Sequence, residues 1–352
     1  MVSNIYRIWR NPSVGWFLRL AFSALILTLL STQVDFVTVL DTLRSANVQF
    51  LVPAFVLFFV VRLIWAYQMS LGLAPLGMRL TTPRLFKVIL IAGFYSLVLP
   101  GNLVAGGTAS WYKLSRSNGR GIEAAALLVY FRIVNTLTLL GVGLLGMWLD
   151  PRLATPSFRA VVGVMFVGVV LAFLPFVSTA ATDQVERVGR AVLRKLPLHG
   201  CLREKGPIIW KALKSFQELD SWTVVIVLGL SLLSHLLSTF VFYLLTLAID
   251  IHLSVFVVGW VRSMLQLFEF LPISIAGLGV REVSLVLLLA DYGIPETQAL
   301  GCSLVIFATV VVGGIIGGLF EMWDVLRGGR RSRRSVAEED QDAAVRGWFS
   351  TK

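Results

Sequence analysis

The chain has 352 residues, 57% of them hydrophobic and only 14% charged, with a mean hydropathy of +0.81. A water-soluble domain cannot hide that much apolar surface, so the composition implies a lipid-facing helical core and excludes an ordinary soluble enzyme. The net charge of +11 needs no nucleic-acid partner, because its lysines and arginines lie in loops where an anionic membrane leaflet is the natural counter-charge.

A helix must be roughly 20 residues long to cross hydrocarbon, and apolar runs of that order lie near 15–32, 49–69, 124–149, 159–178, 222–249 and 298–323. The first has no clear small-residue cleavage site and is followed by many more runs, so it reads as a span and not as a signal peptide. Between the second and third runs comes an apolar half-helix from about Phe86, ending in Leu99-Pro100-Gly101-Asn102-Leu103-Val104-Ala105-Gly106-Gly107. Between the fifth and sixth a second half-helix, from about Ser254, ends in Phe270-Leu271-Pro272-Ile273-Ser274-Ile275-Ala276-Gly277-Leu278-Gly279-Val280-Arg281-Glu282.

Both stretches open on Leu-Pro, continue with small or polar residues and close on glycine. Proline and glycine interrupt a helix and release backbone groups that lipid cannot satisfy. Two such breaks in corresponding positions indicate a repeat-built transporter with its site between them. The expected fold is therefore an all-α polytopic membrane helix bundle, with about six full spans, two Pro/Gly-broken segments and an inverted repeat. Whether each broken segment is a re-entrant hairpin or a pair of short crossings is left open at this point.

Orientation follows from the basic residues, which stay cytoplasmic. Arg7 and Arg10, then Arg79, Arg84 and Lys87, then Lys113, Arg116 and Arg120, fall on one side if each broken segment returns to the side it entered. The basic segment 180–221 and the tail Arg327, Arg330, Arg331, Arg333 and Arg334 join them. Both termini are then cytoplasmic, the first hairpin opens inward and the second outward. Within 180–221, Val185, Val188, Val192 and Leu193 recur at helical spacing among arginines, which suits an amphipathic connector lying on the membrane. Residues 1–325 form the membrane domain. The tail 326–352, basic and then acidic at Glu338-Glu339-Asp340, is expected to be disordered.

Polar residues inside the spans form stripes. Arg132, Asn135 and Thr136 share one helix face, as do Arg262, Gln266 and Glu269, and as do Ser231, Ser234, His235, Ser238 and Thr239. Serines of this kind commonly stitch helices together. An arginine at membrane depth costs at least ~2.5 kcal/mol on insertion scales, so it faces a cavity or a partner. The expected cavity has a positive lining from Arg62, Arg132 and Arg281, with Glu269 and Glu282 as counter-charges or proton carriers. Its walls are the breaks, marked by Pro100, Gly106, Gly107, Pro272, Gly277 and Gly279. Guanidinium forks suit phosphate oxygens, so the expected partner is a membrane lipid with an anionic head group.

Cys201 and Cys302 have no metal spacing, and His199, His235 and His252 are scattered. No phosphate loop or nucleophile elbow is visible, so no cofactor and no catalysis are expected. Gly313, Gly314, Gly317 and Gly318 in the last run form a small-residue packing face, used within the chain or across a homodimer.

The stretch Leu271–Glu282, with Tyr292-Gly293-Ile294-Pro295-Glu296 beyond it, resembles the signature of the lysylphosphatidylglycerol synthase transmembrane region, a flippase-like membrane family. Leu99-Pro100-Gly101 through Gly106-Gly107 resembles its first motif, although Thr108 and Trp111 stand where members often carry an acid and an arginine. The soluble aminoacyl-transferase domain of the full synthases does not follow the last run, so lipid aminoacylation is not implied. The resemblance implies movement or binding of a phospholipid or polyprenyl-linked lipid at the inner membrane. The alternatives are a membrane-embedded lipid-phosphate glycosyltransferase and a non-catalytic accessory subunit of a lipid- or glycan-modifying enzyme.

Overall fold

The computed structural model describes residues 44–99, 102–150, 156–195, 210–269 and 279–349, and among these every regular element is helical. Five helices are long and apolar enough to cross a membrane. They are α1 (Val48–Leu71), α4 (Gly121–Leu149), α5 (Pro156–Phe173, extended by a 3-10 turn to Phe176), α7 (Ser221–Ala248) and the first part of α10 (Glu296–Phe349). Each covers one of the apolar runs read from the sequence. The run near 15–32 lies outside the described residues.

The two broken segments give shorter helices: α2 (Thr82–Val98) and α3 (Asn102–Asn118) around the first break, α8 (Val255–Phe268) and α9 (Val280–Ala290) around the second. At about 1.5 Å per residue these are roughly 25 Å or less, shorter than the hydrocarbon layer. Helix α6 (Thr179–Lys195) follows α5 and is strongly amphipathic, the most so among the described α-helices, as its valine spacing predicts.

The packing shows that both broken segments fold back. Across the first, Arg79 N, just before α2, donates to Asn118 Oδ1 at the end of α3 (3.3 Å). Across the second, Trp260 Nε1 near the start of α8 donates to the Tyr292 hydroxyl just past α9 (3.1 Å). Helix α4 serves as a ruler between them. Its N-cap residue Arg120 donates to Leu76 O (2.6 Å) beside the mouth of the first hairpin. Its C-cap residue Asp150 accepts from Trp260 Nε1 (3.2 Å) and from the Tyr292 hydroxyl at the mouth of the second. The hairpins thus open at opposite ends of the bundle, as an inverted repeat requires.

Arg79, Arg84, Lys87, Lys113, Arg116, Arg120, Lys211 and Lys214 gather at the end where α4 begins. Tyr130 closes that end by stacking on Phe216 (ring centroids 4.4 Å apart) and packing on Phe176 (5.3 Å). Among the described residues the opposite end carries Asp150, Asp250, Asp291 and Glu296, together with Arg44 and Arg159. Arg159 Nη2 donates to Asp150 O (3.3 Å).

Helix α10 runs on beyond the last apolar run to Phe349, with no proline after Pro295 to end it. The four glycines of α10 form a packing face used within the chain, one of the two uses expected of them. Gly313 faces Phe58 of α1, while Gly314, Gly317 and Gly318 face Leu97, Leu90 and Phe94 of α2. They let α2 approach so closely that a Cβ at Gly317 would collide with the Leu90 carbonyl.

Candidate functional site

The polar stripes converge where α1, α4, α7 and α8 meet. Gln68 of α1 donates to Val227 O of α7 (3.0 Å) and accepts from Asn135 of α4 (3.4 Å). Asn135 in turn accepts from Ser231 (3.2 Å), whose hydroxyl lies 2.6 Å from Thr138 Oγ1. Trp65 Nε1 donates to Ser234 Oγ (3.0 Å). These are closed side-chain bridges between helices, the stitching role expected of the α7 serines.

The arginines sit around that network. Arg62 is half-buried, its guanidinium carbon 4.6 Å from the Phe58 ring centroid and 4.5 Å from that of Trp65. Flat stacking of this kind holds the charge while leaving its hydrogen-bonding edge available. Arg262 of α8 reaches His235 Nδ1 (3.5 Å) and Gln266 Oε1 (3.2 Å), and lies within electrostatic range of Arg62 and Glu269. Arg262, Gln266 and Glu269 form one half-buried stripe on a helix whose middle, Val257 to Val261 and Ser263 to Leu265, is buried. Arg262 was visible in that stripe but was not counted in the expected cationic lining. Only the fold, which brings it beside Arg62 across an interval of 200 residues, singles it out. Arg132 lies half-buried on α4, three residues before Asn135.

The second break is anchored by Arg281 and Glu282. Gly279 has a φ of 82°, a conformation few side chains tolerate, and it starts α9. Glu282 reaches back to cap that start, accepting from Gly279 N (2.6 Å). Arg281 is only 1% exposed. Its Nε donates to Ser303 Oγ of α10 (2.9 Å), its Nη2 to Glu282 Oε1 (3.2 Å), and its guanidinium lies 4.8 Å from the Phe307 ring. Ser303 completes the ring by donating to Glu282 Oε1 (2.6 Å). The adjacent pair Arg281 and Glu282 thus engage each other, packed against α10. Pro100, Pro272 and Gly277 lie outside the described residues, as does the meeting of the two breaks.

The flanks of both breaks rest on the same helix. Leu97, just before the first, packs at Gly314, and Arg281, just after the second, packs at Ser303 and Phe307. At the first break the paired glycines differ. Gly106 is buried so tightly against Ser96 and Ala92 that a Cβ would collide, whereas Gly107 is exposed with nothing within 4 Å.

A second charged cluster was not anticipated. Lys87 of α2 and Lys113 of α3 both pair with Asp324 of α10, and Lys113 also pairs with Glu321 (2.5 Å). The Tyr95 hydroxyl adds a hydrogen bond to Glu321 (3.3 Å). This cluster ties the first hairpin to the last helix near its mouth. Its sequence signal is an acidic pair at i, i+3 ending an apolar run.

Opposed broken hairpins around buried arginines define an integral membrane helix bundle that holds ionic groups within its span. The chain belongs to the family of the lysylphosphatidylglycerol synthase transmembrane region, whose model matches residues 16–318. That membership ties it to membrane-lipid function. No curated protein and no solved structure matches the chain.

Proposed function

We propose that the protein binds the anionic head group of a membrane lipid between its two hairpins and carries it across the bilayer without catalysing a reaction. The observation that carries this reading is the pairing of opposed hairpin mouths with the half-buried arginine edge of Arg62 and Arg262. Guanidinium groups at membrane depth are costly unless they serve a ligand or a partner. Arg281 is satisfied within the fold, so head-group contact falls first to Arg62 and Arg262, with Arg132 behind them. Arg281 sets the geometry of the second break. The basic end faces the cytoplasm in this reading, and acyl chains stay in lipid while the head group moves.

Transport of a fluorescent phosphatidylglycerol in proteoliposomes tests it. With transport, dithionite added outside bleaches fluorophores from both leaflets; without transport it reaches the outer leaflet alone. Arg62→Ala and Arg262→Ala each remove a charge-assisted contact of about 1.5–3 kcal/mol, so each is expected to slow bleaching of the inner pool at least several-fold. Bleaching confined to the outer leaflet with folded wild-type protein would overturn the reading.

A further inference from the structure

The two acids beside the second break are held very differently. Glu282 is occupied on both oxygens, by Gly279 N, Arg281 Nη2 and Ser303 Oγ. Glu269 makes no hydrogen bond or ion pair through its carboxylate among the described residues, yet it is half-buried and caps the end of α8. It ends the half-buried stripe that begins at Arg262 and continues through Gln266, the same stripe assigned above to the head group. Arg262 on its own helix, and Arg281 and Glu282 on α9, lie within its electrostatic range. Beyond Arg262, α7 presents His235, 3.5 Å away, and α1 presents Arg62. The charged residues within α4, which also packs on α8, are Glu123 at its start and Arg132 deeper in.

We infer that Glu269 is a proton-exchange site coupled to head-group binding. The inference rests on the reading of Arg62 and Arg262 as the head-group contacts. In the empty site the Glu269 carboxylate offsets the guanidinium charge. A phosphate oxyanion entering beside the same guanidiniums would place two anions in one poorly screened space, where their repulsion is strong. The neutral acid relieves it, so a proton from the facing aqueous phase adds to the carboxylate as the head group binds. It leaves to water when the head group departs on the other side. Proton and lipid therefore bind together, and by linkage each raises the affinity for the other. Glu282 cannot take this role without giving up the cap of α9 and the counter-charge of buried Arg281.

The sign is fixed by this coupling: affinity is highest at low pH and falls as pH rises. The test is calorimetric titration of the full-length protein in detergent with a short-chain phosphatidylglycerol, from about pH 5.5 to about pH 8.5, in two buffers of different ionisation enthalpy. Wild-type protein is expected to lose up to about tenfold in affinity per pH unit over part of that range, and to show buffer-dependent heat from proton uptake. Glu269→Gln, a mimic of the neutral acid, is expected to bind with pH-independent affinity and equal heats in both buffers. A wild-type affinity that is flat with pH and heats that match between buffers would overturn the inference, and this measurement needs no variant to fold. Retention of the full pH slope by Glu269→Gln would overturn it as well. Absence of any binding by folded wild-type protein would instead remove the head-group reading beneath it, so the two failures are distinguishable.

Discussion

At the residue scale, what matters is how each buried charge is satisfied. Arg281 has a carboxylate, a hydroxyl and an aromatic ring around it and is almost fully enclosed. Breaking such a pair from one side leaves an uncompensated charge, which typically costs about 3–5 kcal/mol. Glu282→Ala is therefore expected to lower the melting temperature of the purified protein sharply, whereas Arg281→Met with Glu282→Gln recovers much of the loss. A single Glu282→Ala protein that melts like wild type would contradict the assignment. The sequence shows Arg281 and Glu282 as neighbours, and on a continuous helix side chains one residue apart diverge by about 100°. They engage because α9 begins one residue earlier, and that start depends on the positive φ of Gly279. The partner Ser303 belongs to another helix and gives no local signal.

At the element scale, close approach of helices is set by glycine. Gly317→Ala would push the Leu90 carbonyl and Gly106→Ala would push Ser96, so each is expected to destabilise by about 1–3 kcal/mol through overpacking. Gly107→Ala meets open space, and alanine favours a helix over glycine by roughly 1 kcal/mol, so its fold should be at least as stable as wild type. Thermal unfolding of the three variants checks the contrast. A loss of lipid movement in stable Gly107→Ala protein would place that exposed face on the transport path.

Helix α6 supplies a different kind of prediction. Lys214 holds it through Asp183 (2.9 Å) and Glu186 (3.7 Å), and the hydrogen bond to Asp183 is the main cause of a pKa above the usual lysine value. The contact is complete below the ordinary lysine pKa and is lost only as pH rises through the raised value. The protection of α6 amides, taken relative to their intrinsic exchange rates at each pH, should therefore respond to salt, which screens exposed pairs, and not to pH between about 6 and 9. The long apolar runs and the valine spacing of α6 made these elements legible, since lipid imposes length and periodicity directly. The ties of Lys87 and Lys113 to Asp324 were not legible, because they join residues more than two hundred positions apart by tertiary packing alone.

At the scale of the whole molecule, two oppositely directed hairpins share α10 as a common support and α4 as the span between their mouths. The likeness of the two Leu-Pro motifs revealed the pairing. Basic residues revealed which ends lie together, because each hairpin returns to the side it entered. The division of labour among the arginines needed the fold, since burial separates Arg281 from Arg62 and Arg262 where sequence treats them alike. The opposed mouths are the claim on which lipid movement depends. In a Cys201→Ser background, with Cys302 buried, single cysteines at Ser117 and Thr297 occupy exposed positions at the first and second mouths. An impermeant maleimide added to sealed vesicles of each orientation tests them directly. The account predicts that each cysteine is labelled in only one orientation, Ser117→Cys from the cytoplasmic side and Thr297→Cys from the other. Labelling of both from the same side would contradict it.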